Sequence, residues 1–285
     1  MQAFFTYFMN ISFLLYLFYS KQKREVKIKK LLLNSLLIFF SFLGLSSCAS
    51  ISKNIVPHQK AFALVKTIVE VQLYECEKGP KEEAKNCRYN SLGKRAAIGS
   101  GTFFSYKSKI AFLTAGHVCL GPAFEIWNSL PPGSRVVSEL LLESYTGHKI
   151  KGKISYVNLK YDVCIVEANH PTVKRLPKIS LYNPTLHNEH YSIAAPASIF
   201  DIGMVPVLQG LYVGDSKVFS FYTIPAAPGA SGGAIYDSSN NIVGLVQRTH
   251  SHFSHVSLSI KHKDLNDILE RYMSLQSQGI KSLIE

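Results

Sequence analysis

Helical periodicity, internal repetition and acidic charge are all scarce in this chain of 285 residues. Apolar residues at helical spacing occur only near the end, over 264–275 (DLNDILERYMSL), with Asp264 close to its start. That leaves little room for a helical fold. No repeat and no low-complexity tract is present, so a repeat architecture is excluded. Lys and Arg number 31 against 19 Asp and Glu, yet no basic helix and no basic patch interleaved with aromatics stands out. Nucleic acid is therefore not an expected partner. Residues 1–20 carry no charge at all.

What stands at the N-terminus is a leader. The uncharged stretch is followed by KQKREVKIKK and then by a second apolar run, LLLNSLLIFFSFLGLSS, ending at Cys48. A basic stretch, an apolar run and small residues before its end make a bacterial export signal. Leu45-Ser46-Ser47-Cys48 resembles the lipobox of bacterial lipoproteins. The resemblance implies cleavage before Cys48, a lipid on its thiol and, with Ala49 rather than Asp next, retention at the outer membrane. A plain membrane-spanning helix with a chance cysteine is the alternative. The first twenty residues are extra to a signal peptide, so either the true start lies downstream, as at Val26, or residues 3–19 add a membrane helix with the basic loop inside. Location in the cell envelope, anchored by lipid, is expected; a secreted or membrane-spanning protein is the alternative.

Residues 1–47 are accordingly set apart from fold reasoning as a signal or membrane segment, and 48–60 as a tether. The leader removes six basic residues and one acid, leaving 25 Lys/Arg against 18 Asp/Glu, a modest positive excess. From about residue 61 the chain reads as short strands with turn punctuation. They cover 61–74, 96–106, 110–114, 124–128, 134–143, 149–158 and 162–167, then, after a connector, 191–194, 204–213, 218–222, 233–236, 242–247 and 255–260. About a dozen strands at this spacing argue for an all-β protein, paired barrels or a sandwich. Beyond Cys48 lie Cys76, Cys87, Cys119 and Cys164, an even number compatible with two disulfides in an exported domain. Three pairings are open to four cysteines. Cys76 and Cys87 flank the charged insert EKGPKEEAKN, read as a surface loop, and form the natural pair, which leaves Cys119 with Cys164.

Three short stretches carry chemistry. LTAGH ends an apolar strand on His117; KYDVCIV opens another with the lone carboxylate of Asp162; PGASGG sets Ser231 among glycines. Glycine-rich backbone lets amide N–H groups converge on one point, as an oxyanion hole requires. A serine hydroxyl needs a base, and the base an orienting acid. Singly these are a strand-end histidine, a strand-start aspartate and a glycine turn; together, in the order His, Asp, Ser, they are more. Gly229-x-Ser231-x-Gly233 also matches the nucleophile elbow of α/β-hydrolases. That fold needs a helix after the serine and its acid and histidine downstream. Here AIYDSSNNIVGLVQ follows, two apolar stretches joined by a turn, which is a hairpin.

Over about residues 61–275 these motifs resemble the three catalytic motifs of chymotrypsin-like serine peptidases. The resemblance implies two six-stranded antiparallel β-barrels, over 61–170 and 171–285, with the active site between them and a C-terminal helix. It implies Ser231 as nucleophile, His117 as base, Asp162 as its orienting acid, and the N–H groups of Gly229 and Ser231 as oxyanion donors, acting on a protein or peptide substrate. No cofactor and no metal are implied. A catalytically silent relative that binds a peptide or partner in the same cleft is the alternative. Ala230 stands where digestive members carry an acid, so activation through an ion pair to a newly cut N-terminus is not expected. Cys119 and Cys164 each sit two residues past a triad member, so a bridge between them would tie base to acid; two buried free thiols are the alternative.

By the same alignment, 225–228, 247–249 and about 255–257 wall the pocket for the side chain before the cut, with Gln247, Arg248, Thr249 and His255 as substrate-binding candidates. Pro225 at the pocket base disfavours Lys or Arg there. Arg248, His250, His252 and His255 would favour an acidic or amide side chain, or form only a solvated polar loop. With no cysteine or carboxylate beside these histidines, zinc is not expected.

Overall fold

The computed structural model describes residues 58–78, 84–123, 130–168, 175–250, 253–280 and 283–285. The leader, Cys48, most of the tether, the expected strand at 124–128 and His252 lie outside the described residues.

The first six strands are β1 (Phe62–Lys78), β2 (Ala84–Tyr106), β3 (Lys109–Ala115), β4 (Ser134–Ser144), β5 (Lys149–Asn158) and β6 (Val163–Glu167). They lie in the order β5-β4-β1-β2-β3-β6, and β6 pairs back onto β5, closing a six-stranded barrel. A short β13 (Leu283–Ile284) adds in parallel to β5 beyond the end of β4. The next six are β7 (Glu189–Ile193), β8 (Val207–Asp215), β9 (Phe219–Tyr222), β10 (Ala234–Tyr236), β11 (Ile242–His250) and β12 (Phe253–Ile260). They close a second barrel in the order β10-β11-β12-β9-β8-β7. Every pairing within the two barrels is antiparallel. This is the double barrel expected from the motifs, with its C-terminal helix α2 (His262–Ser277) burying Leu265, Ile268 and Leu269. A five-residue helix α1 (Gly116–Leu120) follows β3.

Alternation of apolar and polar residues explains the closure. Inward positions of the first barrel hold Phe103 and Phe112, edge to face at 4.8 Å, with Leu142 and Ile165 fully buried around them. The second encloses Tyr222, Ile224, Ile235 and Val243. Between the barrels Tyr236 stacks on Tyr191 at 5.0 Å and reaches Thr102 Oγ1 at 3.0 Å. Polar residues thus mark the seam.

One element differs from expectation. Half of the charged insert between Cys76 and Cys87 is strand: β1 runs to Lys78 and β2 begins at Ala84, with 79–83 outside the described residues. The flanking residues Tyr74, Glu75 and Cys87–Tyr89 are exposed, so no hydrophobic alternation marks this stretch. Cys76–Cys87 and Cys119–Cys164 are both disulfides.

Candidate active site

β3 runs buried from Ala111 into Ala115, and α1 begins one residue later, so His117 emerges at a rigid strand end. Its backbone N–H donates to Asp162 Oδ1 and its ring Nδ1 to Asp162 Oδ2, both at 2.8 Å. A carboxylate only accepts, so Nδ1 carries the proton and Nε2 is left as the basic nitrogen. The His117 side chain is 49% exposed and that of Asp162 17%, which leaves the ring accessible and its partner shielded. Asp162 adopts φ +52°, a left-handed conformation that costs energy in a non-glycine residue. The turn holds it there through Tyr161 N–H to Asn158 Oδ1 at 3.0 Å. Gly116 leaves room for the carboxylate: a Cβ there would stand 3.1 Å from Asp162 Oδ1. Cys119–Cys164 ties α1 to β6 directly behind this pair.

Ser231 sits in a turn whose glycines are sterically required. Gly232, at φ +87°, would place a Cβ 2.2 Å from both Ser100 O and Thr114 Oγ1. Gly229 has φ +96°. Pro228 C=O accepts Ala197 N–H at 2.7 Å, and Ala230 C=O accepts Gly233 N–H at 3.0 Å. Within one peptide plane N–H opposes C=O. The N–H groups of Gly229 and Ser231 therefore point the other way, and neither has a hydrogen-bond acceptor among the described residues. Two donors one residue apart are thus left without a partner among the described residues.

The serine and the His–Asp pair are joined by Ser100, which sequence reading passed over, and by Gln247, which it placed on the pocket wall. Ser100 donates its N–H to Ser231 O at 2.8 Å and its hydroxyl to Gly229 O at 2.7 Å, and accepts Ala195 N–H at 2.9 Å. Its own carbonyl accepts Thr114 Oγ1 at 2.7 Å. The only signal was Gly99-Ser100-Gly101, small residues inside a strand, where another backbone approaches closely. Gln247 is 2% exposed. Its carbonyl accepts the Ser231 hydroxyl at 3.4 Å, while its Nε2 donates to Tyr161 O and, at 3.1 Å, to Asp162 O. The Ser231 hydroxyl is thus engaged with Gln247 and not with His117.

Of the substrate-binding candidates, Gln247 turns its side chain toward the Asp162 turn. Arg248 is exposed, its guanidinium 5.8 Å from the Phe219 ring centre. Thr249 pairs across the ladder with Ser257, which pairs with Tyr222; both partners are fully buried, with hydroxyls that find no acceptor or donor among the described residues. His255 is exposed, and His250 lies 5.5 Å from Phe253. Among the described residues no three His, Cys, Asp or Glu side chains gather to hold a metal.

No protein-family model matches the chain, and no curated protein matches it in sequence. Its fold is similar to that in the crystal structure of the serine endoprotease from Yersinia pestis, with TM-score 0.51 and 16% identity. The likeness covers 77% of this chain and 65% of that one, so this chain spans less than two thirds of the other's length. At that identity it is the fold that is shared.

Proposed function

We propose that this protein is a serine endopeptidase in which Ser231 is the nucleophile, His117 the base and Asp162 the group that fixes the imidazole. The observation that carries the reading is the doubly bonded His117–Asp162 pair together with two N–H groups, of Gly229 and Ser231, that have no acceptor among the described residues. As Ser231 Oγ bonds to the scissile carbonyl carbon, its proton passes to His117 Nε2. The carbonyl oxygen takes the negative charge and lies on the two N–H groups. Collapse breaks the C–N bond, and His117 returns the proton to the leaving amine. Water then repeats the sequence on the acyl-enzyme, giving up a proton to His117 and freeing Ser231. Thr249, Ser257 and Tyr222 carry no carboxylate, which supports a side-chain preference other than Lys or Arg, with Arg248 and His255 favouring acidic or amide groups at the rim. Export through the leader, a lipid on Cys48 and a place in the cell envelope complete the reading.

The bond from the Ser231 hydroxyl to Gln247 favours a second reading, a silent cleft that binds peptides. One experiment separates them. Residues 49–285 are expressed under oxidising conditions and treated with a fluorophosphonate, which bonds only to an activated serine. Labelling of the wild type and none of Ser231→Ala is expected. A folded wild type that stays unlabelled favours the silent cleft.

A further inference from the structure

Residues 283–285 close on the turn that carries Asp162. β5 and β6 are joined by Leu159, Lys160, Tyr161 and Asp162, and the last ladder pair before that turn is Asn158↔Val163. β13 lies parallel to β5, with Leu283 opposite Tyr156 and Ile284 opposite Val157. The next residue continues the ladder. Glu285 N–H donates to Val157 O at 2.8 Å, and Glu285 O accepts the N–H of Leu159, first residue of the turn, at 2.7 Å.

The Glu285 side chain reaches further in. Arg271 of α2 holds Oε1 with Nε at 2.8 Å and Nη2 at 2.6 Å, while Oε2 meets the Tyr156 hydroxyl at 2.7 Å. The direction of each following bond is dictated. A carboxylate only accepts, so the Tyr156 hydroxyl donates to it and offers only lone pairs elsewhere. That oxygen accepts Asn158 Nδ2 at 3.3 Å. The amide is thereby turned with Oδ1 toward the turn, where it accepts Tyr161 N–H at 3.0 Å. Flipped, the same amide would set donor against donor at both ends.

Asp162 is where this chain of bonds leads. Its φ of +52° costs about 1–3 kcal/mol and persists only because the surroundings hold it. From the second barrel, Gln247 takes the carbonyls of Tyr161 and Asp162. On the other side Asn158 takes the N–H of Tyr161, and Glu285 that of Leu159. Both of these latter restraints trace to Glu285, one through its backbone and one through its carboxylate.

Resting on the peptidase reading, we propose that Glu285 is a positioning residue for the reaction: through Tyr156 and Asn158 it sets the Tyr161–Asp162 turn in the conformation that fixes His117. It acts through other residues and carries no proton in the reaction.

The test is a double-mutant cycle on Tyr156→Phe and Glu285→Ala, read with a peptide built around a bond first located by mass spectrometry in casein. Tyr156 is 1% exposed, and Phe fills the same space without the hydroxyl. Glu285→Ala removes the carboxylate and keeps the backbone ladder. Each variant should lose about tenfold in kcat, with KM within about twofold, because a misplaced turn weakens the base without touching substrate. Both together should lose about tenfold and not a hundredfold, since one chain of bonds is cut only once. The far-downfield proton resonance of His117 Nδ1 should shift or broaden in each variant, a change that loss of packing elsewhere would not produce. Unchanged kcat in either variant, losses that multiply in the double variant, or an unmoved resonance overturns the role of Glu285 and leaves the peptidase reading intact. A folded wild type that neither cleaves peptide nor takes the fluorophosphonate overturns the peptidase reading, and the role of Glu285 with it.

Discussion

Gln247 is where the two barrels hold one another's working parts. Its carbonyl meets the Ser231 hydroxyl, and its amide meets the carbonyls of Tyr161 and Asp162, one of them the strained residue itself. Gln247→Leu removes both donors at nearly constant volume. The Asp162 turn then relaxes, and kcat should fall by about 10²-fold, the cost of a small misplacement of a catalytic group. KM should stay within about twofold if this side chain positions Asp162 rather than binding substrate. Peptide hydrolysis kinetics on wild type and variant check the split, and a change in KM alone would return Gln247 to the pocket wall. His117, Asp162 and Ser231 each sit in a local pattern, so the sequence alone singles them out as candidates. The roles of Ser100 and the Gln247 amide were not legible, because each acts across a chain separation that no pattern spans.

At the scale of elements, the two disulfides hold different things. Cys119–Cys164 joins the helix carrying His117 to the strand that follows Asp162, across 45 residues of chain, whereas Cys76–Cys87 staples a hairpin outside the barrel. The chain-entropy account gives about 4 kcal/mol for the first loop and about 3 for the second, both upper values. Replacing Cys119 and Cys164 together by Ser should lower the urea midpoint and also slow catalysis, since base and acid lose their tether. Replacing Cys76 and Cys87 should lower the midpoint with catalysis unchanged. Urea unfolding and cleavage rates on the two double variants measure this, and equal effects on catalysis would deny the tether. The arms of the hairpin were not legible as strand, since Tyr74, Glu75 and Cys87–Tyr89 are exposed and it is pairing between β1 and β2 that makes them strand.

For the whole molecule, strand count and motif order made the double barrel legible. Closure through β5–β6 and the parallel addition of β13 were not, since they depend on registers between distant segments. Burial of polar rings in this fold has a consequence for pH. His190, packed between Tyr212 and Tyr222, and His58 beside Tyr236 both titrate below the usual imidazole range because burial penalises the charged ring. The unfolded chain then binds more protons than the folded one, so stability is lost as pH falls through about 6.5. The thermal midpoint should drop between pH 7.5 and pH 5.5, and the drop should be smaller in His190→Phe. Calorimetry across that range tests it; an identical slope in the variant would remove His190 from the account.

The central claim is that Ser231 is activated by a base held by Asp162. The most direct measurement is the rate of phosphonylation by a fluorophosphonate, followed by intact mass and located by peptide mapping. The account predicts a single adduct on Ser231, formed in wild type and slowed by orders of magnitude in Asp162→Asn, whose imidazole would hold the wrong tautomer. A folded wild type that forms no adduct, or forms it at the same rate in Asp162→Asn, would contradict it.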